Sequence, residues 1–193
     1  MDTTDVEEEG ANWPESLPGH IIESPVRDLL GKPIDYSQNI LGDLWIERGN
    51  YALIHGSSEV GKSVLAAQIA IEAGLGRETF GLKVDRPLKV LIVQAEDSKN
   101  DRVSQFNTML KRLAPDDQQL VDQNVRIITP RKRAHRGKNL FNFLRKELKD
   151  TTLDLVIFNP ALAFLDGQPN DSVAVGDFLR EQLQEFLREK VAA

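Results

Sequence analysis

At 193 residues, with 40% hydrophobic and 28% charged side chains, the chain has material for one globular domain and is short for two. No apolar run approaches the ~20 residues of a membrane span, and the acidic start MDTTDVEEEG has no secretory apolar core, which points to a cytoplasmic chain with no membrane partner. There is no cysteine, which excludes disulfides and thiolate metal sites, and of the net charge of −6 residues 1–30 carry −7, so the remainder carries +1 and is compatible with a polyanionic partner.

In chain order, residues 1–20 are polar, aperiodic and carry Pro14 and Pro18, and read as a disordered acidic arm. Residues 21–50 read as an irregular lead-in ending at a Gly49–Asn50 turn, and residues 51–193 as the core domain. YALIHG (51–56) has the apolar content of a short strand, and Lys62 to about Gly74 that of a helix. KVLIVQAE (89–96) predicts a second strand, followed by a helix from Lys99 to Leu113 with Val103, Phe106, Leu110 and Leu113 inward. VRIITP (125–130) predicts a third strand, NLFNFLRKELK (139–149) a helix burying Leu140, Leu144 and Leu148, and LDLVIFNP (153–160) a fourth strand. A last helix spans Ser172 to Lys190, with Asp171 as its N-cap and Val175, Leu179, Leu183 and Phe186 inward. Continuous apolar strands alternating with helices mean an α/β fold with a doubly wound, mainly parallel sheet.

Between the first strand and the first helix lies HGSSEVGKS, which fits G-x-x-x-x-G-K-[ST] with Gly56, Gly61, Lys62 and Ser63. Several backbone N–H groups must approach a polyphosphate at once, and side chains at the two glycines would obstruct that turn. The helix after the loop turns its free N–H groups and positive dipole end to the same place. Gly56, Ser57, Ser58, Glu59, Val60, Gly61, Lys62, Ser63 and Val64 are therefore the candidate nucleotide-binding residues. Lys62 would reach the β- and γ-phosphates, and the Ser63 hydroxyl would sit on Mg²⁺, making ATP and Mg²⁺ the expected cofactors.

Three further stretches carry a family resemblance: QAE at the end of the second strand, LGDLWIERGN ahead of the loop, and LDLVIFNPALAFLDGQPNDSVAVGDFLREQL. Together with the loop they resemble the RecA-like and RepA-like branch of the AAA ATPases over about Leu41 to Leu187. The resemblance implies that Glu96 is catalytic with Lys62, polarising the attacking water. Glu96 and Asp97 each also suit the cap of the next helix, Asp97 better. The resemblance implies an Asp at the end of the fourth strand, where this chain has Asn159; an amide keeps an acceptor oxygen for the metal but no charge. Asp154, at the other end of that strand, stands roughly 16 Å away at the rise of a strand. The resemblance also implies one more strand between the fourth strand and the loop strand. No apolar run follows REKVAA, so the expectation is a fold incomplete at its C-terminus, without that strand's sensor residue.

RIITPRKRAHRGK (126–138) holds six bases and no acid. Arg131, Lys132, Arg133 and Arg136 are candidates for contact with nucleic acid or a neighbouring subunit, against the alternative of a solvated charged loop. His55 reads as packed in the loop strand and Trp45 as a core residue, and with no cysteine nothing has zinc-ligand spacing. The expected function is an ATPase coupling Mg-ATP hydrolysis to work on DNA, with single-stranded DNA as a partner and a homo-oligomeric ring as the assembly. The alternative is an ATP-binding regulatory or remnant module with little hydrolysis.

Overall fold

The computed structural model describes residues 27, 30–57, 59–95, 99–130, 136–168 and 170–190. The acidic arm 1–20, Ser58, Glu96, Asp97 and the basic cluster 131–135 lie outside the described residues. The chain divides into two compact units, 1–35 and 36–193, and the strands and α-helices among the described residues all belong to the second.

That unit opens on a small antiparallel hairpin, β1 (Asn39–Leu41) with β2 (Ile46–Glu47), in the segment read as irregular. Helix α1 (Lys62–Leu75) comes next, then β3 (Val90–Gln94), α2 (Lys99–Leu110), α3 (Pro115–Asn124), β4 (Val125–Ile128), α4 (Gly137–Glu147) and β5 (Leu155–Asn159). A 3₁₀ turn at Ala161–Phe164 leads to α5 (Ser172–Gly176), a π-helical stretch Asp177–Leu183 and α6 (Gln184–Lys190). Asp171 caps α5 by accepting from the Val173 and Ala174 N–H groups at 2.9 and 3.3 Å, as its sequence position predicts. Helix α3 has no apolar stripe to announce it, and its signals are Pro115 at the first turn with Asp116 and Asp117 beside it.

The sheet is parallel with order β4–β3–β5, so β3 is central and all five of its residues are buried. Its alternation splits the core in two. Leu91 and Val93 face Leu140, Phe141, Leu144, Phe178 and Phe186, and the rings of Phe158, Phe178 and Phe186 gather around Phe141 at 5.4–5.9 Å. Val90 and Ile92 face Ile69, Ala70, Ala73, Val121 and the hairpin residues Ile40 and Leu41 on the other side. Helices therefore cover both faces of a three-stranded parallel sheet. Val103, expected to point inward from α2, is 49% exposed, because α2 meets the core through Phe106, Met109 and Leu110 alone.

The amino ends of the strands are fastened by polar side chains. Asp154 accepts from Arg86 at 2.5 and 3.0 Å and from the Lys89 N–H at 2.8 Å, with Arg48 3.9 Å away. Lys89 in turn donates to Asn124 Oδ1 at 2.8 Å, and Asn124 donates to the Gly74 carbonyl at 2.8 Å. At Gly74 a Cβ would lie 2.5 Å from Val125 Cγ2, so only glycine lets α1 come this near β4.

The segment 51–56, expected as the strand ahead of the loop, forms no strand and pairs with nothing in the sheet. Tyr51, Leu53 and Ile54 are 40, 67 and 41% exposed, and His55 is exposed rather than packed. A groove of about 330 Å³ separates the segment from β5, bordered by Trp45, Ile157, Leu179 and Leu187. Trp45 is 42% exposed on this groove instead of in the core. An apolar run becomes a strand only when a second edge supplies its backbone partners, and here the groove lies between the segment and β5 with no ladder across it.

Burial pushes the Asp154 carboxyl up, but the Arg86 hydrogen bonds, the Lys89 N–H and the charges of Arg86 and Arg48 together hold it below the ordinary carboxylate range. Asp154→Asn should cost roughly 1–2 kcal/mol at pH 7, allowing for solvent screening. A depressed carboxylate contributes its stability above the unfolded pKa and loses it as pH falls through the folded one. Denaturation midpoints of variant and wild type should therefore converge below about pH 4.

Candidate nucleotide site

The loop from Gly56 to Ser63 is shaped by two left-handed residues, Glu59 (φ 64°) and Gly61 (φ 91°). Left-handed turns between right-handed residues aim successive N–H groups into one concavity, the geometry that receives an anion. Gly61 is also the N-cap of α1 and makes no side-chain cap bond, so the first N–H groups of this 14-residue helix have no side-chain oxygen from their cap. The two glycines serve different ends. A Cβ at Gly61 would meet nothing within 4 Å, and its requirement is the positive φ alone. A Cβ at Gly56 would lie 3.3 Å from Val60 Cγ2 and 3.8 Å from Lys62 Cδ, so glycine here lets the loop close over the lysine.

Lys62, the first residue of α1, donates from Nζ to the carbonyls of Gly56 at 3.0 Å and Ser57 at 2.5 Å. The loop thus wraps its own ammonium, and an ammonium has a third donor for an anionic oxygen. Ser63 donates from its hydroxyl to Asn159 Oδ1 at 3.3 Å, bringing the start of α1 onto the tip of β5 across 96 residues of sequence. Gln105 of α2 donates from Nε2 to the Ser63 carbonyl at 3.1 Å. Gln94 closes β3 directly beside Asn159 in the ladder and is 2% exposed. Residues 90, 92 and 94 of β3 and 155, 157 and 159 of β5 share the α1 face of the sheet, so both amides stand on the side from which Ser63 approaches.

The structure places Lys62, Ser63 and Asn159 together, with Gly56, Ser57, Glu59, Val60 and Gly61 in the loop beside them. Val64 is 51% exposed on the first turn of α1. Gln105 is absent from the sequence expectation; its signal is the spacing of three from Arg102 on α2, whose guanidinium reaches Thr129 at the carboxyl end of β4. Arg126, part of the basic segment, is occupied at the other end of β4, donating to the carbonyls of Asp122 and Val125. Arg136 is exposed just ahead of α4.

As donors for a divalent cation, Ser63 Oγ and Asn159 Oδ1 are hard oxygens of the kind Mg²⁺ takes, one or two from protein and the rest from phosphate and water. No cluster of three or more His, Cys, Asp or Glu side chains suited to a metal occurs among the described residues. The donor set among the described residues therefore fits a cation carried in with a phosphate ligand.

A glycine loop closing on a lysine at the start of a helix, beside the carboxyl ends of parallel strands, defines a phosphate-binding site of the P-loop class. The chain belongs to the AAA domain family, whose family model matches residues 18–193, and is accordingly a nucleotide-binding domain of P-loop ATPase type. No curated protein matches it. No solved structure does either. No helix among the described residues is long and apolar enough to cross a membrane.

Gly61→Ala should destabilise the fold by about 1–2 kcal/mol, the cost of a Cβ in the left-handed region, read from chemical denaturation. Gly61→Asn, which tolerates that conformation better, should recover most of the loss.

Proposed function

We propose that this chain is a RepA-like ATPase with a RecA-like core, binding Mg-ATP and coupling its hydrolysis to work on DNA in replication or in a mobile element. The observation that carries the reading is the juxtaposition of Lys62, in its loop, with the Ser63–Asn159 contact at the strand tips. The loop N–H groups and the α1 terminus hold the β- and γ-phosphates, and Lys62 neutralises charge that grows on the transferring phosphoryl group. Mg²⁺, when bound, draws charge from the β- and γ-oxygens; Ser63 and Asn159 are the residues that would hold it. Glu96, two residues beyond Gln94 in the chain, is the proposed activator of water. The basic residues Arg131, Lys132, Arg133 and Arg136 are the proposed contacts with single-stranded DNA or with a neighbouring subunit in a homo-oligomeric ring.

A second reading, an ATP-binding regulatory module with little turnover, is favoured by one specific observation. The side chain that meets Ser63 at the end of β5 is an amide, which gives a catalytic cation no negative charge to hold it.

The two separate in one assay. ATP turnover measured with and without single-stranded DNA should be stimulated by DNA if the chain is a motor; negligible, unstimulated turnover with intact binding selects the regulatory reading. Lys62→Ala should abolish nucleotide binding in calorimetry, and unchanged binding would overturn the site assignment.

A further inference from the structure

We infer that the cleft between α1 and α2 seats the ribose and base of the nucleotide whose phosphates the loop holds. The inference rests on the ATP-binding reading above and names the part of the site that tells a nucleotide from a bare polyphosphate.

The cleft has a volume of about 590 Å³, within the range of sites that enclose small organic ligands. Val64, Gln68 and Ile71 line it from α1 at helical spacings of four and three, and Ser104, Thr108 and Met109 line it from α2. One end of it lies at the phosphate loop. Val64 directly follows Ser63 in the chain, and Gln105, on the opposite wall, donates to the Ser63 carbonyl at 3.1 Å. The first turn of α1 is thus shared by loop and cleft, so one nucleotide can occupy both without a gap. The groove beside β5 also reaches Gly56 and Lys62, and the chemistry of the walls separates the two. A ribose and a base carry hydroxyls, amines and ring nitrogens that lose water on binding and need partners. The groove away from the loop offers mainly carbon, from Leu53, Ile157 and Leu179 among others. The cleft offers both kinds of surface. Ile71 and Met109 belong to the core on the α1 side of the sheet and give an apolar floor for the flat face of a base. Ser104 and Thr108 stand exposed one turn apart on the α2 wall. The Thr108 hydroxyl donates to the Ser104 carbonyl at 2.9 Å, which leaves its own lone pairs to accept from an amine. Gln68 donates from Nε2 to Glu72 at 2.7 Å and keeps its carbonyl oxygen as a further acceptor. No aromatic ring lines the cleft, so apolar contact and hydrogen bonds do the holding, without stacking.

The test is calorimetric titration of the full chain with ATP and, separately, with inorganic tripolyphosphate, both with Mg²⁺. Ser104→Leu and Thr108→Leu each replace an exposed hydroxyl on α2 with a larger carbon side chain that a helix accepts readily. Each should weaken ATP binding about tenfold, through lost space and an unpaired polar group, and change tripolyphosphate binding by less than about threefold. Unchanged ATP binding in both variants would overturn the proposal and leave the phosphate site intact. Equal losses for the two ligands would overturn it as well, since the substitutions would then be acting through the loop. Binding of neither ligand by wild type would overturn the ATP-binding reading, and this proposal with it. Photolabelling of wild type with 8-azido-ATP gives a readout that needs no variant. Label is expected on peptides 64–72 or 104–113, and label confined to 45–55 would put the base in the groove and overturn the proposal.

Discussion

The fold turns on β3. It is the strand with a neighbour on each side, all five of its residues are buried, and its alternation assigns every helix to one of two cores. The register it imposes on β5 also places Asn159 level with Gln94 and on the α1 face, which is where Ser63 arrives. A one-residue slip would turn Asn159 toward the Phe141 cluster and leave Ser63 without its partner. Packing and site geometry are thus one constraint, enforced by the apolar contacts of Val90, Leu91, Ile92 and Val93.

The two ends of the sheet divide the polar work between them. At the amino ends, Asp154, Arg86, Lys89 and Asn124 satisfy one another and the backbone of Gly74, so those charges hold strands and helices in place. At the carboxyl ends, the left-handed loop and the start of α1 present donors that no cap side chain takes up. Such an arrangement leaves an anion as the natural partner of the carboxyl end and explains why the acid in β5's own segment, Asp154, cannot contribute there.

Much of this is legible in the sequence because it is local. The loop motif, α1, the apolar runs of β3, β4 and β5, and the Asp171 cap are each specified within a few neighbouring residues. The misreadings share one cause, a dependence on partners distant in sequence. YALIHG has a strand's composition, but a strand also requires an opposing edge, and a groove stands where that edge would be. Trp45 and His55 are expected inside for the same reason and border that groove instead. Val103 obeys the helical period yet faces solvent, since α2 touches the core along only part of its length. Helix α3 and Gln105 are fainter in the sequence for another reason. Helix α3 meets the core through the adjacent pair Leu120 and Val121, which makes no apolar period, and Gln105 acts through a polar contact.

The groove bears on how the phosphate loop is held. In the absence of a ladder partner for residues 51–57, the loop takes its position from its carboxyl side: from Gly61 at the cap, from Lys62 bonded to Gly56 and Ser57, and from Ser63 tied to Asn159 and Gln105. A loop anchored on one side by a buried helix and on the other by its own lysine can bind a triphosphate, since binding needs the donors to converge only once the ligand is there. Hydrolysis asks for more, because stabilising a transition state requires donors already fixed at the positions where charge develops. Lys62 meets part of that demand: two of its three donors go to loop carbonyls, which hold the ammonium in place, and the third remains for an anionic oxygen.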